Sequence, residues 1–129
     1  MHEIALVDAM RHARCTLRTT RPNLGSGSPA HVRPGIYDTP LRAATYGGAL
    51  ARGIVVIEYS DAFELTRLDE LAAVQRALPA GTIVAPSRQR TRTALRASAY
   101  RRVLRCAETG QAALDALALF RGRFVGQAP

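Results

Sequence analysis

The stretch Gly53-Ile54-Val55-Val56-Ile57-Glu58-Tyr59 decides how the rest of the chain is read. It is short, rich in β-branched residues and bounded by Gly on one side and Ser60-Asp61 on the other, so it is expected to be a buried strand. Directly after it, Asp61 and Glu64 have the spacing of a helix capping box. Leu65, Leu68, Leu71, Ala72, Gln75 and Leu78 then recur at helical spacing until Pro79 and Gly81 stop the run. Thr82 to Ala85 reads as a second strand closed by Pro86, and Thr93 to Cys106 as two extended pieces hinged at Ala99-Tyr100. Gln111 to Arg121 sets Leu114, Leu117, Ala118 and either Phe120 or Arg121 on one helical stripe, which Gly122 is expected to end. Upstream, Ile4 to Leu17 is compatible with a short helix carrying Leu6, Met10 and Leu17, and Thr19 to Pro34 is a Pro, Gly and Ser loop. The expected architecture is α+β: one domain with a small mixed β-sheet and two or three helices packed on it. Its parts are a helical segment at 1–18, a loop at 19–34, the core at 35–123 and a tail at 124–129.

Composition narrows the class. The 129 residues are 47% apolar and 22% charged, the balance of a globular domain and not of a disordered chain. No stretch reaches the ~18 apolar residues of a membrane-spanning helix, and the charged N-terminal segment does not read as a signal peptide. A cytoplasmic location follows as the expectation, with Cys15 and Cys106 reduced. The net charge of +8 comes entirely from Arg, with no Lys in the chain. That bias matches a GC-rich coding sequence as well as a functional demand. Arg88, Arg90, Arg92, Arg96, Arg101, Arg102 and Arg105 form a basic region without a zinc finger, a stacking motif or a helix-turn-helix pattern. Any nucleic-acid binding is therefore expected to be nonspecific. Gly25-Ser26-Gly27-Ser28 lacks the Gly-Lys-Ser/Thr ending of a phosphate loop. His12 and Cys15 share a helix spacing and could form half of a zinc site, but no second ligand pair accompanies them.

Three segments carry a family resemblance: Gly35-Ile36-Tyr37-Asp38-Thr39-Pro40, Ile54-Val55-Val56-Ile57-Glu58-Tyr59, and Ala97-Ser98-Ala99-Tyr100-Arg101-Arg102-Val103-Leu104-Arg105. Over roughly residues 20 to 123 the chain resembles the bacterial domain-of-unknown-function family 3105. That family pattern has a Pro and Gly turn with a His, a Gly-Val-Tyr-Asp-x-Pro motif, a His-x-x-Glu-His-Gly motif leading into a strand, and a late Ala-Trp-Gly-Arg segment. Where the pattern places His-x-x-Glu-His-Gly, this chain has Gly48-Ala49-Leu50-Ala51-Arg52-Gly53, so the metal-ligand types are gone and only the last Gly remains. Gly and Ala offer no donor and Arg52 repels a cation, so neither metal nor cofactor is expected. The resemblance also implies an envelope-associated family with an N-terminal anchor, which is not expected here.

Candidate chemistry gathers around the same motifs. Tyr37 and Asp38 sit in a Gly and Pro turn where phenol and carboxylate could perform acid and base work, or simply shape the turn. His31 is the candidate proton carrier, against the alternative of a surface His. Arg52, at the mouth of the strand, could bind a carboxylate or an oxyanion, or remain solvated. Glu58 and Tyr59 close that strand as further substrate-binding candidates. The small residues Gly48, Ala49 and Ala51 are expected to leave room for an organic ligand. The functional expectation is thus a metal-independent, cofactor-free enzyme or enzyme-like protein acting on a small organic molecule by cyclase, isomerase or lyase type acid and base chemistry, in specialised metabolite biosynthesis. The alternative is a noncatalytic small-molecule-binding or scaffold protein with an Arg-rich partner surface. A small-molecule ligand is the expected partner, with no specific nucleic acid, no membrane, and a homodimer left open.

Overall fold

Val55, Val56 and Ile57 are each withdrawn completely from solvent, which requires cover on both faces of their strand. The computed structural model, which describes residues 2–20, 33–60, 63, 67–87 and 93–127, supplies that cover. Among the described residues the elements are α1 (His2–Ala13), β1 (Cys15–Thr19), β2 (Gly35–Ile36), α2 (Ala43–Ala51), β3 (Val55–Tyr59), α3 (Leu68–Ala77), β4 (Thr82–Pro86), β5 (Leu95–Ala99), β6 (Arg102–Cys106) and α4 (Gln111–Phe124). One six-stranded sheet runs in the order β1-β6-β5-β3-β4-β2. β2, β4 and β3 are mutually parallel, while β3, β5, β6 and β1 alternate antiparallel. The fold is α+β, with four helices where two or three were expected.

Side-chain alternation along β3 splits the core in two. Val55 and Ile57 pack with Leu71, Val84, Leu95, Leu104, Leu114, Leu117 and Phe120, the face covered by α1, α3 and α4. Val56 packs with Leu41, Ala49, Leu50, Ile54, Ile83 and Ala85, the face covered by α2. The crossovers β2-α2-β3 and β3-α3-β4 move across the sheet in opposite directions, so crossovers of one hand place their helices on opposite faces. Glu58, next on the α2 face after Val56, is a carboxylate in this interior.

The N-terminal segment departs from expectation. The helix ends at Ala13, Arg14 turns the chain with φ 53°, and Cys15 begins a strand where a continuing helix was expected. Leu6 and Met10 do face the core, but Leu17 belongs to β1 and is partly exposed. β1 pairs with β6 in a register that sets Cys15 opposite Cys106, and the two form a disulfide. The expectation of two reduced cysteines is overturned, because antiparallel pairing brings together side chains 91 positions apart. The His12–Cys15 half-site goes with it, since Cys15 is no longer a thiol.

At the other end, α4 runs through Gly122 to Phe124, and the chain turns at Gly126 instead. The Gly126 N–H donates to the Gly53 carbonyl at 2.8 Å. Gly53 has φ +80°, and a Cβ there would lie 2.7 Å from the Gly126 Cα. Only glycine permits both that conformation and that approach. The capping pair Asp61 and Glu64, and most of the 19–34 loop, lie outside the described residues. The hinge in the Thr93 to Cys106 run is a tight turn at Tyr100-Arg101, one residue later than expected. Arg121, buried at the base of α4, donates to the Val74 carbonyl and to Thr82 Oγ1, which caps the last turn of α3 with a cation.

The disulfide joins residues 91 positions apart and so closes a loop around most of the domain, which in a chain-entropy account stabilises it by roughly 4.6 kcal/mol. Replacing both cysteines with Ala should therefore lower the urea midpoint markedly. Thiol titration of the denatured, unreduced protein should find no free thiol, and two titratable thiols per chain would contradict the pairing.

Candidate functional site

The parallel strands β2, β4 and β3 end together, and their outgoing connections leave toward different faces, the place where open sheets with parallel strands form ligand crevices. Tyr37 follows β2 and its N–H donates to the Val84 carbonyl at 2.8 Å, while Tyr59 lies beside Pro86. Tyr37, Asp38, Glu58 and Tyr59 therefore stand at one end of the sheet. They do not all share a face. Tyr37 packs on the α2 side, where Glu58 also points, whereas Tyr59 packs on the α4 side. The Tyr37 hydroxyl is occupied, donating to the Arg33 carbonyl within its own turn. Asp38 is exposed, and its charge adds to burial in raising the Tyr59 pKa above 10.

Arg52 is elsewhere. It caps the C-terminus of α2 before β3 begins, so it lies at the opposite end of the strand, on the order of 15 Å from the level of Tyr37 and Tyr59. Tyr37 and Arg52, both named as candidate site residues, are thus set at opposite ends of β3. The exposed Arg52 joins the turn that carries Gly53. Gly48 and Ala49 are buried in α2, and two grooves of about 660 and 350 Å³ lie away from them, against α4. The small residues of α2 face the sheet, with Ala49 and Leu50 packed on Val56 and Ile83. His31 lies outside the described residues, as do Arg88, Arg90 and Arg92.

What the α2 face does assemble is a polar cluster that sequence reading did not group. Glu58 is only 3% exposed, and β5 runs antiparallel beside it with Arg96 directly opposite. Arg96 Nε donates to Glu58 Oε1 at 3.0 Å, and Nη2 bonds the same oxygen. The Arg96 guanidinium also lies 5.8 Å from the ring centroid of Tyr46, which α2 lowers onto the sheet. Burial pushes the Tyr46 phenol above its ordinary pKa; Ser98 and Arg96 oppose that shift, Glu58 adds to it, and Arg105 opposes it. Ser98, two residues along β5 and fully buried, stands beside the Tyr46 phenol. The signal for this grouping was present in the sequence as β5 alternation, Arg96 and Ser98 on one face. Tyr46 carried none, because Ala43 to Ala51 shows no amphipathic stripe.

The basic run is divided by the same alternation. Arg96 and Arg105 are register partners on the α2 face, whereas Arg102 lies over the Phe124 ring at 5.8 Å and donates to Thr19 Oγ1 at 3.1 Å. Among the described residues no three His, Cys, Asp or Glu side chains converge as a metal site, and no helix is long and apolar enough to cross a membrane.

With this geometry in view, a family model described as "Protein of unknown function (DUF3105)" matches residues 10–120. The chain belongs to the DUF3105 family. The matched region takes in all six strands and α2 and α3 entire, so the Tyr46, Glu58, Arg96 and Ser98 cluster lies wholly within the DUF3105 domain. No curated protein and no solved structure matches the chain.

The buried phenol gives a pH dependence of known sign. Tyr46 has a raised pKa in the folded protein, so its contribution to stability is intact below the unfolded value of about 10 and is lost as pH rises through the folded value. Denaturant unfolding at pH 9 to 11 should show a shallower loss of stability in Tyr46→Phe than in the unsubstituted protein. Parallel slopes would place the phenol in solvent.

Proposed function

We propose that this DUF3105 domain is a metal-independent, cofactor-free protein acting on a small organic molecule by acid and base chemistry, centred on Tyr46, Glu58, Arg96 and Ser98. The observation that carries the reading is the buried Glu58–Arg96 pair held against a desolvated phenol. Ionisable groups withdrawn from water and set beside one another are the usual means of tuning proton donors and acceptors. Tyr46 stays protonated near neutral pH and serves as the donor, Glu58 as the acceptor, and Arg96 fixes the carboxylate. Cyclase, isomerase or lyase reactions in specialised biosynthesis use such groups. Tyr37 and Asp38 border the same end of the sheet and belong to the approach to the site, whereas Tyr59 lies on the opposite face.

One observation favours a noncatalytic binding role as the second reading. Arg96 already occupies a Glu58 oxygen with two donors, which weakens that carboxylate as a base. The division of the basic run between two faces gives less support to a scaffold built on a continuous Arg surface. We also propose no sequence-specific nucleic-acid partner and no membrane partner, and leave self-association to measurement. The cytoplasmic location was expected from a sequence without a membrane-spanning stretch or signal-peptide pattern, with reduced cysteines as its consequence; the Cys15–Cys106 bond instead favours a compartment where disulfides persist.

The test is a thermal-stability screen of the full chain against small carboxylic acids and carbonyl compounds, followed by NMR of hits for turnover. A ligand near one hundred times its Kd should add about 2.7 kcal/mol of stability. Glu58→Gln should abolish turnover if the site is catalytic, and should leave binding measurable if it is not. A screen in which nothing stabilises the protein, or elemental analysis finding about one tightly held zinc or copper per chain, would reject the proposal.

A further inference from the structure

The two edges of the sheet differ in kind. β2 is two residues long, a common way of leaving an edge too short to pair. β1 presents five residues, Cys15–Thr19, and all but Cys15 are exposed. Its ladder with β6 fixes which way each backbone group points. The Thr20 N–H donates to the Arg101 carbonyl at 3.0 Å and the Ala107 N–H to the Arg14 carbonyl at 3.2 Å. In antiparallel alternation Thr16 and Arg18 therefore also exchange bonds with β6. The N–H and C=O groups of Cys15, Leu17 and Thr19 point to the open edge, where no strand pairs with them among the described residues. The Cys15–Cys106 bond holds that edge in place. Among the described residues the exposed large apolar side chains are Val7, Leu17 and Ile36, and the first two belong to this margin. Leu17 is the middle residue of β1, on the face to which Cys15 also points. Val7 lies on the flank of α1 turned away from α4, because Ala5, Asp8, Ala9 and His12 border α4 while Leu6 and Met10 face the core.

We infer that β1 pairs antiparallel with β1 of a second copy about a two-fold axis at Leu17, joining the two six-stranded sheets into one. In that register Leu17 meets its own copy, and Cys15 of each chain meets Thr19 of the other. Every outward backbone group of the strand then finds a partner. The same register brings two exposed leucines side by side and sets each Arg18 opposite a Thr16. A hydroxyl suits a guanidinium there, as Arg102 already donates to Thr19 Oγ1 within the chain. Charge excludes the adjacent registers. An axis at Arg18 would set two guanidiniums directly opposite, and an axis at Thr16 would set Arg18 against Arg14. A second copy thus matches the bonding phase, the apolar centre and the charges of this edge together. The contact is small beside the ~1,200 Å² of a stable interface, so the dimer should be weak, with a Kd of about 10–100 μM. It involves none of the residues of the small-molecule reading above and stands apart from it.

Sedimentation of the full disulfide-bonded chain should show the mass rising from monomer to dimer through that concentration range. Amide exchange gives a signature inside the strand. The Leu17 N–H should exchange more slowly as protein concentration rises, while the Thr16 and Arg18 N–H groups, bonded to β6, stay slow throughout. Because Leu17 meets itself, Leu17→Lys and Leu17→Glu should each weaken the dimer about fivefold or more, and an equal mixture of the two variants should restore it. The position is exposed, so both variants should keep the fold; if either does not, the exchange measurement on the unsubstituted chain decides. A chain that stays monomeric up to about 1 mM overturns the inference. That holds even if an added extended peptide slows Leu17 exchange, since the edge would then belong to another partner. A dimer that both charged variants retain, or one that their mixture fails to restore, overturns it too.

Discussion

Placing one carboxylate in the middle of a sheet constrains much of what surrounds it. Glu58 sits on the central strand β3 among Val55, Val56 and Ile57, where an isolated charge would be untenable. Its compensation comes from Arg96 on the neighbouring strand, and that pairing holds only in the observed register, with Glu58 opposite Arg96 and Val56 opposite Ser98. A slip of one residue would send Arg96 to the apolar face and leave Glu58 against Leu95 or Ala97. The ion pair is thus a device for specificity of pairing as much as for stability. It also explains why the polar cluster lies on the α2 face: the alternation that aims Ile57 at α4 aims Glu58 the other way.

That cluster and the rest of the fold were unequally legible in the sequence. The strand at Glu58, the helix after it, the strand before Pro86, the late hairpin and the final helix could be read because their periodicity and turn residues agree with their tertiary roles. α2 could not. Its residues Ala43 to Ala51 are apolar or small throughout, with Gly47 and Gly48 in the middle, a pattern that suits close packing on a sheet but gives no helical stripe. β2 is two residues long and exists through its pairing with β4. β1 follows a helix after one residue of positive φ, so helical spacing ran on through it. Glu58 and Tyr59 were singled out as site residues from their place at a strand end. Their partners were hidden because cross-strand neighbours are far apart in sequence, 38 positions for Glu58 and Arg96.

Arg52 and Gly53 show how a motif position can mean something other than chemistry. Within DUF3105 the resemblance aligned this segment with a ligand-bearing motif, and Arg52 was read as a replacement at a pocket. In the fold the segment is the close of α2 and the tight turn into β3, where Gly53 lies against Gly126. The retained glycine therefore has a packing reason independent of any metal. The disulfide acts on the opposite margin, fastening the edge strand β1, and with it α1, to β6. The cluster at Glu58 lies on β3 and β5, strands bonded on both sides.

A double-mutant cycle on Glu58 and Arg96, followed by denaturant unfolding, tests this account most directly. Arg96→Met alone should cost roughly 3–5 kcal/mol by leaving a buried carboxylate unpaired, and adding Glu58→Gln should recover a large part of that loss. If the two substitutions simply add, to within about 0.5 kcal/mol, the pair does not hold the sheet or the site, and the account built on it is wrong.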